Sequence, residues 1–238
     1  MISLNGIAEA GQTRHHDFTS LLLQDAIESD LPSPYAALLK RGVAYIEEER
    51  ATTFQVSGEI SYAATKAVNG FFGTDVPSAY VAPVDTFIPL ISLQASDDIK
   101  NVMSHAVAVL SQRKLIASSN KRMSRAQVNK LAEERSPFVS YFTDKSGKRW
   151  NGDTYVRTLW RQFSVDALAN ATVAALLANK QTTAKLVTTA PGKPGNNLVF
   201  SITNDFSLPN WEEVRVKYFH PNSSILVAPV GADNGFSI

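Results

Sequence analysis

The sequence predicts an α+β fold: an N-terminal helical region with an extended proline-containing arm, then a C-terminal domain of one long helix packed on a small antiparallel sheet. Three observations predict it. Apolar residues recur at the spacing of an amphipathic helix through most of the first 179 residues. Residues 186–189 and 198–202 instead alternate like strands, joined by Pro191-Gly192-Lys193-Pro194-Gly195-Asn196-Asn197, the composition of a hairpin connection. Pro77, Pro83 and Pro89, six residues apart, lack the N–H a helix needs and disfavour helical geometry at the preceding residue. The resulting division is a helical region over 1–73, an arm or hinge over 74–95, a helical segment over 96–136 and an α+β domain over 137–238.

Each element has a local reason. Residues 17–30 place Phe18, Leu21, Leu22 and Ile27 at helical spacing and stop at Leu31-Pro32-Ser33-Pro34. Ser33 is then an N-cap with Pro34 at the first helical position, followed by Tyr35, Leu38, Leu39, Val43 and Ile46. Residues 52–56 read as a short strand or extended link, and 59–72 as a helix ending at Gly73. Residues 96–117 give the clearest amphipathic helix, through Ile99, Val102, Met103, Ala106, Val107 and Leu110, with His105 on its polar side. Ser124 and Gln127 form a capping box for a helix over 124–135, closed by Pro137. Residues 138–142 read as a strand and 144–148 as a turn. Asp153 is the expected N-cap of the longest helix, 154–179, and can pair with Arg157. A short helix over 211–218 and a strand over 225–230 complete the order.

Composition excludes several classes of chemistry. The 238 residues contain no cysteine, which removes disulfides, thiolate zinc sites and thiol nucleophiles. Four histidines remain, and the adjacent His15 and His16 are expected to be solvated, not ligating. No run of about 18 apolar residues is present to cross a membrane, so no membrane partner is expected. Residues 1–11 carry Glu9 and no Lys or Arg, unlike the start of a signal peptide, so the cytoplasm of the producing cell is the default compartment. The motifs of phosphate loops, dinucleotide folds, zincins and serine hydrolases are missing. Glu47, Glu48 and Glu49 point in different directions on a helix, and His220 beside Pro221 is expected to shape a turn. A non-enzyme with no metal and no cofactor is expected.

Charge is segregated along the chain. Residues 1–100 carry net −7 and residues 101–165 net +8, an asymmetry that directs attention to an anionic partner, unless acidic and basic parts of one chain or of neighbouring copies complement each other. Arg113, Lys114, Lys121, Arg122, Arg125 and Lys130 place six cations within eighteen residues. They suit either the backbone of double-stranded DNA, bound without sequence preference, or an acidic protein surface. The absence of interleaved aromatics argues against single strands. In the arm, Tyr80, Phe87 and Ile88 offer apolar surface for a partner, and Arg157 and Arg161, on an exposed face of the long helix, are further expected partner contacts.

Residues 138–230 carry Asp144-Lys145-Ser146-Gly147-Lys148-Arg149-Trp150, then Asp153-Thr154-Tyr155-Val156 with Arg157 and Arg161, and finally Tyr218-Phe219-His220-Pro221-Asn222-Ser223. This order resembles the minor capsid proteins related to the MuF-like minor head proteins of tailed phages. The family's cysteines in the hairpin and after the HPN segment are absent here. The resemblance implies a structural protein of the virion, present in several copies near the portal vertex. It would contact portal or major capsid protein and packaged DNA during head assembly, packaging or ejection, residing in the host cytoplasm until assembly. The alternative reading of the same residues is a free, non-specific nucleic-acid-binding protein of a mobile element.

Overall fold

A computed structural model describes residues 3–28, 35–78, 84–120, 122–144, 146–188, 195–203, 205, 207–220, 225–232 and 236. Its helices are α1 (Leu4–Glu28), α2 (Tyr35–Phe72), α3 (Val84–Ser119), α4 (Arg125–Arg135), α5 (Gly152–Ala178) and α6 (Trp211–Tyr218). The strands are β1 (Tyr141–Thr143), β2 (Arg149–Asn151), β3 (Thr183–Thr188), β4 (Val199–Ser201) and β5 (Ile225–Ala228). The α+β class holds: long helices dominate, with a small antiparallel sheet of order β4-β3-β5 and a separate hairpin β1–β2.

The chain forms two compact units that alternate along the sequence. One comprises residues 1–8, 50–87 and 158–238, the other residues 9–49 and 88–157. In the first, Val165, Ala169, Val173 and Leu176 of α5 pack with Leu186, Phe200, Val214 and Val227. Ile60 and Ala64 of α2 meet Ala167, Leu168 and Ala171, small side chains that let helices approach closely. The register Ala184↔Phe200 and Leu186↔Val227 places the buried side chains of three strands on one face. Asn210 and Glu213 cap α6 reciprocally. In the second unit, Val109 and Ile116 of α3 pack on Val128 and Ala132 of α4, and Ser124 with Gln127 makes the expected capping box.

Three expectations are corrected. α1 begins at Leu4, well before residue 17, and carries a buried or half-buried stripe through Leu4, Ile7, Ala8, Gly11, His15, Phe18, Leu22 and Ala26. α2 runs unbroken through residues 52–56, because Thr53 and Ser57 are buried within the helix and packing overrides their weak propensity. It ends where expected, at Gly73 with φ +66°, a left-handed cap that glycine adopts without strain. Residues 84–95 are helical and not part of an extended arm. Pro89 is the sixth residue of α3, past the first four whose N–H groups have no intrahelical acceptor, so its missing N–H forfeits one helical hydrogen bond. Phe87 packs edge-on against Trp160 at 4.8 Å and tilted against Phe163 at 4.8 Å, which repays that loss.

Trp160 is fully buried. Trp160→Ala is expected to lower stability by about 3–5 kcal/mol, read as a shift of the urea unfolding midpoint at unchanged slope.

Candidate functional site

The second unit is built around a buried ionic cluster that the sequence does not announce. His15 of α1 has no exposed side-chain surface, and both ring nitrogens meet carboxylates: Nε2 lies 2.8 Å from Asp98 Oδ2 of α3, and Nδ1 lies 2.7 Å from Asp153 Oδ1 in the first turn of α5. Asp98 is itself fully buried. It also accepts from Gln94 Nε2 at 3.1 Å to each oxygen and from Ser140 Oγ at 2.5 Å. Two stacked rings, Phe18 and Tyr45 with centroids 4.2 Å apart, stand beside the imidazole. Next to them Arg14 Nε donates to the buried Glu49 at 2.5 Å.

Burial alone would lower the His15 pKa. The hydrogen bonds to Asp153 and Asp98, with their charges, outweigh it and raise the group from 6.5 to about 9. The hydrogen bond from His15 is in turn the main reason that Asp153 is held below its ordinary value. With both nitrogens donating, His15 is an imidazolium and offers no lone pair for proton abstraction or metal binding. The cluster therefore joins α1, α3, α5 and the strand-leading Ser140. Gly152 is part of the joint: a Cβ there would fall 2.0 Å from Ser140 Oγ. The N-cap of α5 is Asn151, whose Oδ1 accepts from Thr154 N at 3.0 Å, and not Asp153 as expected from the sequence. That substitution of roles frees Asp153 to face His15. His16, by contrast, is exposed, as expected for both histidines, and reaches Asp153 Oδ2 at 3.3 Å.

The segment following Ser140 forms the hairpin β1–β2, with Phe142 opposite Trp150 and Thr143 opposite Arg149. Asp144 organises its turn, accepting from Ser146 N, Ser146 Oγ, Lys148 N and Trp150 Nε1 at 2.6–3.0 Å. Its carboxyl is lowered to about 2, chiefly by the Ser146 side chain and then by Trp150. A concavity of about 310 Å³ is lined by Leu23, Ile27, Glu28, His105, Glu133 and Phe138, among others. His105 packs against Phe138 and is lowered by burial, so it is less exposed than its place on the polar side of its helix suggests.

The residues expected to bind partners fall into three groups. Lys114, Arg122, Arg125 and Lys130 are exposed around the α3–α4 pair, whereas Arg113 is only 18% exposed and ion-paired to Glu133 at 3.0 Å. Phe87 and Ile88 are buried and do not present a partner surface. Arg157 pairs with Glu9 at 3.3 Å and not with Asp153, and Arg161 donates to Asn5. Lys121 and Tyr80 lie outside the described residues. His220 is exposed, and Pro221 lies outside the described residues. Among the described residues no group of three or more acidic or histidine side chains is arranged to hold a metal ion, and no helix is long and apolar enough to cross a membrane. No family model, curated protein or solved structure matches the chain.

Because the folded pKa of His15 lies above its free value, its contribution is complete below about pH 6.5 and disappears as pH rises through about 9. An elevation to about 9 corresponds to roughly 3 kcal/mol. Denaturant titrations between pH 6 and pH 10 should show that loss in the native protein and a much flatter profile in His15→Gln. Asp98→Asn, which leaves the imidazolium with a neutral neighbour, is expected to cost about 3–5 kcal/mol at pH 7.

Proposed function

We propose that the chain is a structural minor head protein of a tailed phage, acting near the portal vertex and contacting portal or major capsid protein and packaged DNA. The observation that carries this reading is the local build of residues 144–157. Asp144 closes the hairpin, Asn151 caps α5, and Asp153 is consumed by the His15 joint. The side chains that carry the resemblance to MuF-like proteins thus serve to fix a hairpin on a long helix. In this reading they are framework for binding surfaces and not reacting groups. The ionic cluster supports the same view, since His15 has no nitrogen left for acid–base chemistry.

The exposed Lys114, Arg122, Arg125 and Lys130 favour a second reading, a free protein that binds nucleic acid without sequence preference. The two readings differ in what they bind and in salt response. Cosedimentation with purified portal rings and with duplex DNA, at about 50 and about 200 mM salt, separates them. The head protein is expected to pellet with portal rings at both salt concentrations. DNA binding alone, abolished by the higher salt, would favour the free protein. In either case Lys114→Ala/Arg122→Ala/Arg125→Ala should weaken duplex retention uniformly across sequences. It should also flatten the slope of log affinity against log salt by about 2 to 3.

A further inference from the structure

The concavity of about 310 Å³ lies wholly within the second unit, and its walls come from three helices and the segment that follows α4. On α1, Ser20, Leu23, Gln24 and Ile27 recur at i, i+3, i+4 and i+7, so one face of the helix borders it, with Glu28 one turn beyond Gln24. This face stands beside the stripe that α1 buries through Phe18, Leu22 and Ala26. Ile27 also packs on the cluster of Val109, Ile116, Val128 and Ala132, which fixes the apolar wall. α3 contributes His105 and α4 Glu133, and Ser136 and Phe138 follow. The imidazole meets Phe138 edge-on with centroids 5.3 Å apart, so two aromatic rings join the aliphatic wall.

The polar groups here are left over from the fold. Elsewhere in the unit carboxylates are spent: Asp98 and Asp153 hold His15, Asp144 holds its hairpin turn and Asp25 holds Arg41. In the concavity Glu28 receives only Gln24 Nε2, at 3.1 Å on Oε2, and Glu133 receives Arg113 on Oε1. Among the described residues, Glu28 Oε1, Glu133 Oε2 and both ring nitrogens of His105 have no hydrogen-bond partner. Burial holds His105 below its ordinary value, so near neutral pH the ring is uncharged and one of its nitrogens is an acceptor. The described lining contains two carboxylates and no lysine or arginine. Arg113, from outside the lining, offsets Glu133, and the charge of Glu28 remains.

Free polar atoms that are predominantly acceptors select a ligand rich in donors, and the residual negative charge selects a cation. Aromatic rings beside an aliphatic wall select a flat, weakly hydrated head on an apolar stem. A guanidinium meets all three conditions: five N–H donors, no acceptor and a planar group that stacks on aromatic faces, with the methylene stem of arginine-like compounds to lie on the wall. The volume stands at the lower end of the range of about 300–1,000 Å³ usual for small-molecule sites, which suits so small a group. We propose that this concavity binds a guanidinium on a short aliphatic stem, Glu28, Glu133 and His105 supplying the acceptors and Leu23 and Ile27 the wall for the stem. The inference stands on the concavity alone and does not depend on the head-protein reading.

The test is a titration of the intact chain with n-butylguanidinium at about 150 mM salt, where loose surface attraction is screened. It is read by the ring C–H signals of His105 in proton–carbon correlation spectra. The chain has four histidines, and the spectrum of His105→Gln assigns the signal. Half-saturation is expected on the order of 1 mM, an ordinary strength for so small a ligand. The neutral compound of the same shape, n-butylurea, is expected to leave His105 unmoved, and n-butylammonium to bind at least about threefold more weakly. Glu28→Gln and Gln24→Lys remove or neutralise the uncompensated carboxylate and are each expected to weaken binding about fivefold or more, while Gln24→Glu strengthens it. Both positions are exposed, so these exchanges leave the core intact. N-acetyl-arginine N-methylamide assigns the source of the group: affinity matching n-butylguanidinium supports an arginine side chain of a protein, and affinity about tenfold weaker supports a free small molecule. No movement of His105 with n-butylguanidinium up to about 20 mM, an equal response to n-butylurea or n-butylammonium, or affinity unchanged in both Glu28→Gln and Gln24→Lys overturns the proposal.

Discussion

An imidazolium sealed between Asp98 and Asp153 makes an exacting demand on everything around it. Two carboxylates and one cation have been removed from water or nearly so, and desolvation on this scale is repaid only where geometry is good and remaining lone pairs are met. Here they are met: Asp98 takes Gln94 and Ser140 in addition to His15, and Asp153 takes His15 and His16. A group that needs partners from α1, α3, α5 and the residue before β1 leaves those four segments little freedom in register. Sliding α1 by one residue would put Arg14 or His16 where His15 lies. Apolar packing tolerates such slips more readily, because leucine for leucine is a small change, whereas an unpaired buried charge is not.

The joint also accounts for local choices that otherwise look arbitrary. Gly152 lies against Ser140, and any Cβ would push out the hydroxyl that completes Asp98. Asn151 caps α5 through its own side chain, so that the acidic residue two positions on can turn inward. Asp144 does for the hairpin what Asp98 does for the interior, gathering four donors on one carboxylate. Three aspartates thus divide the work: one locks the core of the unit, one joins α5 to α1, and one shapes an exposed ribbon. Without the first two, β1–β2 would be an isolated two-stranded hairpin, which is marginal in water.

This arrangement explains what was legible in the sequence. Elements with a strong apolar period or a cap of their own, such as the helix through Ile99 and Val102, the capping box of α4, the hairpin β3–β4 and α6, lie where local physics puts them. α1 was legible only from residue 17 because Gly11 and His15 occupy core positions of its stripe, and a period search scores both as breaks. α2 hides a similar case: Glu49, Thr53, Ser57, Ser61, Thr65 and Asn69, four residues apart, are all buried, so its inward face is polar in composition. Thr65 returns its hydroxyl to the Ser61 carbonyl at 2.9 Å, the usual way such residues are satisfied inside a helix. The ionic cluster draws its members from residues 15, 94, 98, 140 and 153, and no spacing rule connects them. The cation patch was legible as composition, but the pairing of Arg113 with Glu133 depends on how α3 and α4 pack.

Segregated charge is the feature that the interior does not exhaust. Part of it is neutralised within the chain, since Arg157 of the basic stretch meets Glu9 of the acidic one. Lys114, Arg122, Arg125 and Lys130 remain on the surface around α3 and α4, and Lys148 and Arg149 stand on the hairpin over aromatic rings. A chain needing charge only for solubility would gain more from mixed signs spread evenly, since like charges held near one another repel and weaken the folded state. Keeping cations clustered, and bracing some of them on aromatics, costs stability that the buried cluster must supply. The buried joint and the one-signed surface are therefore two sides of one arrangement, in which a polar joint at His15 holds in place surfaces whose own charge would otherwise loosen them.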